Sequence, residues 1–191
     1  IKNFLNQELI GKLLNINMVN KSWLPNWRPS RNYEDTVSAK KELGGGILLE
    51  QSHDINLAIG LFGEMILENA EVFKSGLLNI EVEDSANIYF INKESVPINI
   101  NMDFCSKKSR RQLYIIGSKG TILWDIENGY LSLETSNSNK NKSFNIKPNS
   151  RMIFQYKHFV DLANGKCKPL VSLEDAINTL EIVKKIRILN K

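Results

Sequence analysis

The residues best suited to chemistry are Glu50 and His53, which follow three consecutive glycines at positions 44–46 in the segment GGGILLEQSHDIN. On a helix, side chains three residues apart project to neighbouring points on one face. A carboxylate beside an imidazole fixes its tautomer and raises its basicity, which suits a general base near neutral pH. The glycines let the backbone approach another element or a ligand closely. Spacing alone favours a structural interpretation, with a tight turn and an ordinary histidine, because single His/Glu pairs are common.

A second group of candidates, Trp27, Arg28 and Tyr33, lies in a loop rich in Trp and Pro. Sugars present flat apolar faces ringed with hydroxyl groups. Trp offers a surface on which such a face can stack, and Arg offers a rigid fork of hydrogen-bond donors. These residues are therefore candidates for binding a sugar. It is an equally open alternative that the aromatic side chains only pack the loop against the protein.

Other chemistries find less support in the sequence. His158 lies in an amphipathic segment and is interpreted as structural or solvent-facing. No GxSxG elbow is present for a serine hydrolase, and two distant histidines do not make a metal site, so no metal is expected. None of the 11 glycines forms GxGxxG after a strand, and there is no GxxxxGK[ST] loop. By itself the sequence shows no recognisable site for a dinucleotide or a triphosphate.

Composition indicates one soluble globular domain over residues 1–191, with 42% hydrophobic and 24% charged residues. No apolar run approaches the roughly 20 residues of a membrane-spanning helix. Cys105 and Cys167 are expected to be free thiols in a reducing cytosol, which predicts a cytoplasmic protein. The net charge of +4 includes a basic cluster at 107–111 without interleaved aromatics, so nucleic-acid binding is a minor alternative. The opening lacks Met and resembles a helix already under way, which suggests a cut point.

The elements that must position these residues change from helical to strand-like and back. A short helix is predicted up to about Leu14, followed by a strand-like start that runs into the aromatic loop. A polar helical turn or two comes next, and then a helix over 47–62 that ends at Gly63. Strand patterns run from about Glu71 to Glu134. The clearest is VPININMDFC, whose alternation predicts a half-buried strand. Hairpin turns are expected at 118–120 and 128–129.

The final third of the chain is predicted to be helical after a polar segment at 136–150, which is interpreted as a mobile connection. Ser172 and Asp175 resemble a capping box at the start of the last helix. Four apolar residues then fall on one stripe of that helix: Ile177, Leu180, Val183 and Ile186. The expected fold class is α+β, with helices packed on one face of an antiparallel sheet.

Three stretches of the chain, in order, resemble the Gfo/Idh/MocA oxidoreductases, in the branch associated with bacterial surface-sugar biosynthesis. They are residues 23–64, beginning WLPNWRP and containing GGGILLEQSHDIN, residues 110–125, RRQLYIIGSKGTILWD, and residues 156–186, containing HFVDLANG and VSLEDAINTLEI. The resemblance covers essentially the whole chain. It is much more specific than the glycines or the histidine alone, and it reverses the preference for a structural interpretation of His53.

The resemblance implies that this chain is the second, C-terminal domain of a nicotinamide-dependent enzyme. In that family this domain is an open, mainly antiparallel sheet with helices on one face, and the other face commonly forms subunit contacts, so a homo-oligomer is expected. A preceding Rossmann domain binds NAD or NADP and supplies a lysine that contacts the reacting hydroxyl; neither is in this chain. The motif histidine corresponds to His53 and the acidic residue to Glu50, while Asn56 stands where the family usually has Asp.

The implied function is a sugar or sugar-nucleotide dehydrogenase, inactive as this fragment alone. His53 and Glu50 are then the predicted catalytic residues, and Trp27, Arg28, Tyr33 and Asn56 the predicted substrate-binding residues. His53 would remove the hydroxyl proton of a secondary alcohol while hydride leaves its carbon. The alternative is a non-catalytic sugar-binding or assembly module, which the Asn56 departure also fits.

Overall fold

The computed structural model describes residues 1–144 and 149–190. Within these residues the strands are β1 Leu13–Trp23, β2 Met65–Phe73, β3 Ser85–Asn92, β4 Pro97–Asp103, β5 Cys105–Gly117, β6 Gly120–Asp125, β7 Tyr130–Thr135 and β8 Ser138–Ser143. The α-helices are α1 Lys2–Asn6, α2 Ile47–Glu50, α3 Ser52–Phe62, α4 Ser150–Ala163 and α5 Leu173–Leu189. Three short 3₁₀ turns lie in the loop between β1 and α2, at Leu24–Asn26, Tyr33–Asp35 and Val37–Ala39.

The strands form one open sheet in the order β2-β3-β4-β1-β5-β6-β7-β8. Every neighbouring pair is antiparallel except β1 and β4, which run parallel. A parallel pair needs a crossover connection, and here the chain between β1 and β4 supplies α2, α3 and two other strands. The predicted fold class, an α+β domain with an open, mainly antiparallel sheet, is confirmed.

The two faces of the sheet differ as the alternation in β4 predicts. Ile98, Ile100 and Met102 are buried in the core. Asn99 and Asn101 project from the other face, where they donate amide hydrogen bonds to asparagines of β1 and β3. The core side is covered by α3 and α5, whose buried residues belong to the same apolar cluster as those of the sheet: Ile55, Ala58, Val183 and Ile186.

Several predicted boundaries need correction. The first helix ends at Asn6, well before the predicted end near Leu14. Glu8 and Gly11 have positive φ angles of 51° and 70°, so the chain turns there before it enters β1. The expected mobile connection at 136–150 contains strand β8, which pairs with β7; residues 145–148 lie outside the described residues. The capping box of α5 is confirmed, with Ser172 and Asp175 bonded reciprocally.

The apolar stripe predicted on α5 is buried only in part. Val183 and Ile186 face the core, whereas Ile177 and Leu180 are exposed. The apolar residues of α5 therefore form two groups, of which the described residues bury only Val183 and Ile186. None of the helices in the described residues is long and apolar enough to cross a membrane.

Candidate functional site

The triple glycine forms a turn that brings α2 against the preceding loop. Gly46 has a φ of 104°, a conformation that favours glycine. A Cβ atom on Gly45 would lie 2.8 Å from the carbonyl oxygen of Ser38 and 2.9 Å from that of Lys40. Gly45 therefore allows its backbone to pack directly against the preceding loop of the same chain, and not against a ligand. The turn sets the direction in which α2 and its last residue, Glu50, leave the loop.

Glu50 and His53 lie on two successive helices, where the sequence predicts one. Gln51 has a φ of −110° and a ψ of 17°, which ends α2 after Glu50 and starts α3 at Ser52. Glu50 is half-buried, and its Oε1 accepts a hydrogen bond of 2.9 Å from the Oγ of Ser38. Among the described residues, no hydrogen bond joins Glu50 to His53. The carboxylate is thus fixed by the loop and acts on the imidazole through its charge.

The His53 imidazole is exposed to solvent on one side and surrounded by protein on the other. Desolvation by that protein is the main influence on it and lowers its pKa below the usual value. Asp54 opposes this shift, Arg111 adds to it, and Glu50 opposes it more weakly. The net effect favours the neutral imidazole, which is the form that can accept a proton.

Beside His53 lies a buried polar network that the sequence analysis missed. Asp54 is only 2% exposed, and its Oδ1 accepts a hydrogen bond of 2.5 Å from Nη2 of Arg111 on β5. Its Oδ2 accepts a second hydrogen bond from Nδ2 of Asn20 on β1. Asn20 also donates to Oε1 of Gln51 over 2.7 Å. The network joins the start of α3 to two strands of the sheet.

The signals that could have revealed this network are weak in the sequence. Asp54 is the immediate neighbour of His53, but a carboxylate next to a histidine has no diagnostic spacing. Arg111 belongs to the basic cluster at 107–111, whose composition indicates at most a minor possibility of nucleic-acid binding. Only the register of the sheet, in which Asn20 is paired with Arg111, reveals that both face α3.

The predicted sugar-binding residues Trp27 and Tyr33 contact the protein itself. The Trp27 ring packs edge-on against Phe104, with centroids 5.2 Å apart and planes at 83°. The Tyr33 hydroxyl accepts a hydrogen bond of 3.2 Å from the backbone N–H of Asn79. Both contacts hold the loop between β1 and α2 against the domain.

Arg28 differs from these two aromatic residues because its side chain is exposed. It lines a cavity of about 630 Å³ whose remaining walls are Arg31, Asn32, Asp35, Thr36, Val37 and Leu43. As far as the described residues show, neither Glu50 nor His53 lines this cavity. The structure therefore does not bring Arg28 and His53 into one cavity within this chain.

Asn56 is engaged between two helices. Its Nδ2 donates a hydrogen bond of 3.1 Å to the Thr179 hydroxyl and a longer one of 3.4 Å to the carbonyl of Asp175, both on α5. These contacts account for its half-buried position on α3. Its predicted role as a substrate contact stays a prediction.

The second histidine, His158, lies beside a cysteine in the C-terminal part of the chain. His158 Nδ1 lies 3.5 Å from the Sγ of Cys167, a contact within the C-terminal part of the chain. In the described parts of the chain, no three His, Cys, Asp or Glu side chains come together in a way that could hold a metal ion.

The domain, an open sheet covered by helices on one face, matches a known family of domains. The family model described as "Oxidoreductase family, C-terminal alpha/beta domain" matches residues 2–187. The chain belongs to this family, the Gfo/Idh/MocA oxidoreductases, which confirms the resemblance found in the motifs. No curated protein matches the chain.

Solved structures of family members share this fold at low sequence identity. Levoglucosan dehydrogenase in complex with NADH and levoglucosan has a TM-score of 0.81 at 16% identity, and the match covers 98% of this chain and 59% of that one. A 3-ketoreductase from Actinomadura kijaniata in complex with NADP has a TM-score of 0.81 at 12% identity, covering 100% and 57%. UDP-N-acetylglucosamine 3-dehydrogenase from Acidithiobacillus ferrooxidans has a TM-score of 0.72 at 10% identity, covering 98% and 56%. For eight such structures, the chain spans 56–59% of their length.

Proposed function

We propose that this chain is the catalytic and substrate domain of an NAD- or NADP-dependent sugar or sugar-nucleotide dehydrogenase, with His53 as the general acid/base. The observation that supports this most is the setting of His53, an imidazole open to solvent at the start of α3, whose pKa is lowered by desolvation from the protein around it. Its place in the family supports the reaction class, because three relatives are a levoglucosan dehydrogenase, a 3-ketoreductase and a UDP-N-acetylglucosamine 3-dehydrogenase.

The chemistry asked of His53 is a proton transfer. When a secondary alcohol is oxidised, hydride leaves the carbon and the hydroxyl proton leaves the oxygen, so that a carbonyl forms. The neutral imidazole of His53 accepts that proton, and in the reverse direction imidazolium returns it. Glu50 and Asp54 stabilise the imidazolium that forms, since both raise the affinity of His53 for a proton. A bound nicotinamide supplies the hydride acceptor or donor.

The cofactor is assigned to a nucleotide-binding domain outside this chain. Relatives that carry NADH, NAD⁺ or NADP are longer than the region matched here. Helix α4 has the surface expected of an element that such a domain covers. Its residues Met152, Phe154, Tyr156 and Phe159 are each between 64% and 70% exposed, which is unusual for large apolar side chains on one helix.

We assign the substrate-facing role in the loop to Arg28, because its guanidinium is exposed on a cavity and can donate to sugar hydroxyls or phosphate oxygens. In this proposal Trp27 and Tyr33 support the loop that presents Arg28. Asn56 orients α3 through its hydrogen bonds to α5. The surface-sugar role implied by the resemblance and the cytoplasmic location predicted from the free cysteines stay predictions.

The open face of the sheet is proposed as the contact with a second copy of the chain. It carries the asparagines of β1, β3 and β4 together with the half-exposed rings of Tyr89 and Tyr114. Such a mixed polar and aromatic surface suits a symmetric interface, because amides and rings can pair across a two-fold axis. Sedimentation of the full-length enzyme tests this, and a species that is monomeric at micromolar concentration would contradict it.

The function is tested in the full-length enzyme by replacing His53 with Gln. Turnover with a panel of sugars and sugar nucleotides, and with NAD or NADP, is expected to fall by ~10²–10⁴-fold while KM changes little, because the lost group acts on a proton in the transition state. His158→Gln is the matched control, since it removes the other histidine and is expected to leave turnover unchanged.

Unchanged turnover in His53→Gln would contradict the assignment of His53. Sugar binding without turnover by the wild-type enzyme, with every cofactor and sugar of the panel, would instead support the non-catalytic binding module.

A further inference from the structure

The two residues that bracket His53 most closely in the network are both held by one side chain. Gln51 stands two positions before His53 and Asp54 one position after it. The Nδ2 of Asn20 donates hydrogen bonds to both side chains, to Oε1 of Gln51 over 2.7 Å and to Oδ2 of Asp54. Asn20 is buried on β1, at the centre of the sheet. A single amide on a strand of the sheet therefore binds side chains on both sides of the histidine.

Arg111 holds the same turn from the neighbouring strand. Its Nη2 donates a hydrogen bond of 2.5 Å to Oδ1 of Asp54, and Asn20 donates a hydrogen bond to the other carboxylate oxygen, Oδ2. Asn20 and Arg111 are directly paired across β1 and β5, so the two donors approach Asp54 from adjacent points of one rigid surface. An Asp that is 2% exposed is costly to bury unless its charge is paired in this way.

This arrangement matters because α3 begins at an irregular turn. Gln51 interrupts the helical hydrogen bonding between α2 and α3, and Ser52 and His53 are the first two residues of the new helix. The first turn of a helix has unpaired backbone groups and frays readily. The imidazole itself has no hydrogen-bond partner among the described residues, so its direction depends on how this turn is held.

We propose that Asn20 and Arg111 are positioning residues for His53: by binding Gln51 and Asp54, which flank it, they tie the start of α3 to β1 and β5 and aim the imidazole. This inference rests on the proposed role of His53 as the acid/base. The pair does not touch the reacting atoms and acts through the backbone at positions 51–54.

The charges around His53 make this role measurable. The charged groups that act on the imidazole are Glu50 of α2, Asp54 of α3 and Arg111 of β5. Asp54 and Arg111 neutralise each other, and each has an opposite effect on the pKa of His53. Removing one member leaves the charge of the other uncompensated beside the imidazole.

The experiment uses the full-length enzyme with its nicotinamide cofactor and follows the His53 imidazole by NMR titration, alongside kcat, KM and the melting temperature. Arg111→Met is expected to raise the pKa of His53, because the Asp54 carboxylate is then unopposed. Asp54→Asn is expected to lower it, because the guanidinium is then unopposed. Lys21→Met is the control, since Lys21 follows Asn20 on the opposite face of β1 and forms an ion pair of 3.3 Å with Asp103 there.

Asn20→Ala separates geometry from charge. It removes the amide without changing the net charge, so kcat is expected to fall about 10- to 100-fold, as for a displaced catalytic group, with KM much less affected. If Arg111→Met does not fold, Asn20→Ala can still test the positioning role, because it leaves the buried ion pair of Asp54 and Arg111 in place.

Two results would overturn the positioning role. One is an unchanged kcat in Asn20→Ala. The other is a fall in the melting temperatures of Arg111→Met and Asp54→Asn while the pKa of His53 stays at the wild-type value. That result would mean that the network has only a structural role. The titration result does not depend on the His53→Gln outcome, whereas an unchanged kcat in Asn20→Ala counts against positioning only if His53→Gln lowers turnover. If His53→Gln keeps full turnover, the proposed function fails even when the titration shifts in opposite directions.

Discussion

The Oγ of Ser38 donates a hydrogen bond of 2.9 Å to Oε1 of Glu50, which connects the loop after β1 to the end of α2. Ser38 is fully buried, and its carbonyl oxygen lies directly against Gly45. The loop that carries Arg28 and the acid that acts on His53 are therefore held together at one point. A change at Ser38 should be felt at the site, although Ser38 does not contact the imidazole.

Replacing Ser38 with Ala tests this connection. Loss of one hydrogen bond to a half-buried carboxylate is expected to lower the free energy of unfolding by about 1 kcal/mol, measured by denaturant unfolding. Turnover of the full-length enzyme should fall as well, because the Glu50 carboxylate becomes free to move. Ser106→Ala is the matched control, since its Oγ donates a similar bond of 3.0 Å to Asp103. A similar loss of turnover in both variants would contradict a specific role for Ser38.

Two glycines near the site are expected to respond to alanine in opposite ways. Gly45→Ala pushes a methyl group against backbone carbonyls that cannot move aside and should destabilise the protein by about 1–3 kcal/mol, as overpacking does. Gly60→Ala lies in α3 with nothing within 4 Å of the added carbon, and should stabilise by about 0.5–1 kcal/mol through helix propensity. Unfolding free energies of both variants check the contrast, and a neutral Gly45→Ala would show that the turn is looser than described.

Asn56→Ala distinguishes a structural role from substrate contact. The change removes the amide that donates to Thr179 and Asp175, so a loss of about 1 kcal/mol in unfolding free energy is expected. If the residue is structural, KM for the sugar stays near the wild-type value. A large rise in KM at unchanged stability would instead support the substrate contact predicted from the sequence.

The pH dependence of the enzyme should report the lowered pKa of His53. Since burial favours the neutral imidazole, the acid limb of kcat/KM for alcohol oxidation is expected to have its midpoint below the usual histidine value of 6.5. Rate measurements from pH 5 to 8 (about the range in which histidine titrates) check this. An acid limb with its midpoint above 6.5 would assign the titration to another group.

The same shift has a consequence for stability. Folded His53 binds a proton less readily than the unfolded chain, so its contribution to stability is present above pH 6.5 and declines as the pH falls toward the lowered pKa. As the pH falls below 6.5, the melting temperature of the wild type should therefore decrease relative to that of His53→Gln. Because one side of the imidazole is open to solvent, the effect is expected to be small.

Local patterns were enough to predict much of the fold. The alternation in β4, the hairpin at Asn128-Gly129 and the capping box of Ser172 and Asp175 each involve residues close in sequence, and each formed as predicted. These patterns arise because side-chain direction and hydrogen bonding repeat over two to four residues. The family was identified from three stretches of sequence resemblance, one of which contains His53.

Features that depend on distant contacts were missed or only partly predicted. Ile177 and Leu180 fit the apolar period of α5 but lie outside the core, because the position of α5 against α3 and β2 decides which stripe is buried. The break at Gln51 is not signalled by Gly or Pro. It occurs where the Gln51 side chain accepts a hydrogen bond from Asn20, which is 31 residues away.

By itself, therefore, the sequence determined the class of fold, the family and the identity of His53 and Glu50 as candidates. The tertiary structure decided which groups surround that histidine. Asp54 and Arg111 are 57 residues apart and meet only because the register of β1 and β5 places Arg111 opposite Asn20, under the start of α3. Strand register is set by the packing of the whole sheet, and a shift of one residue would turn Arg111 to the other face.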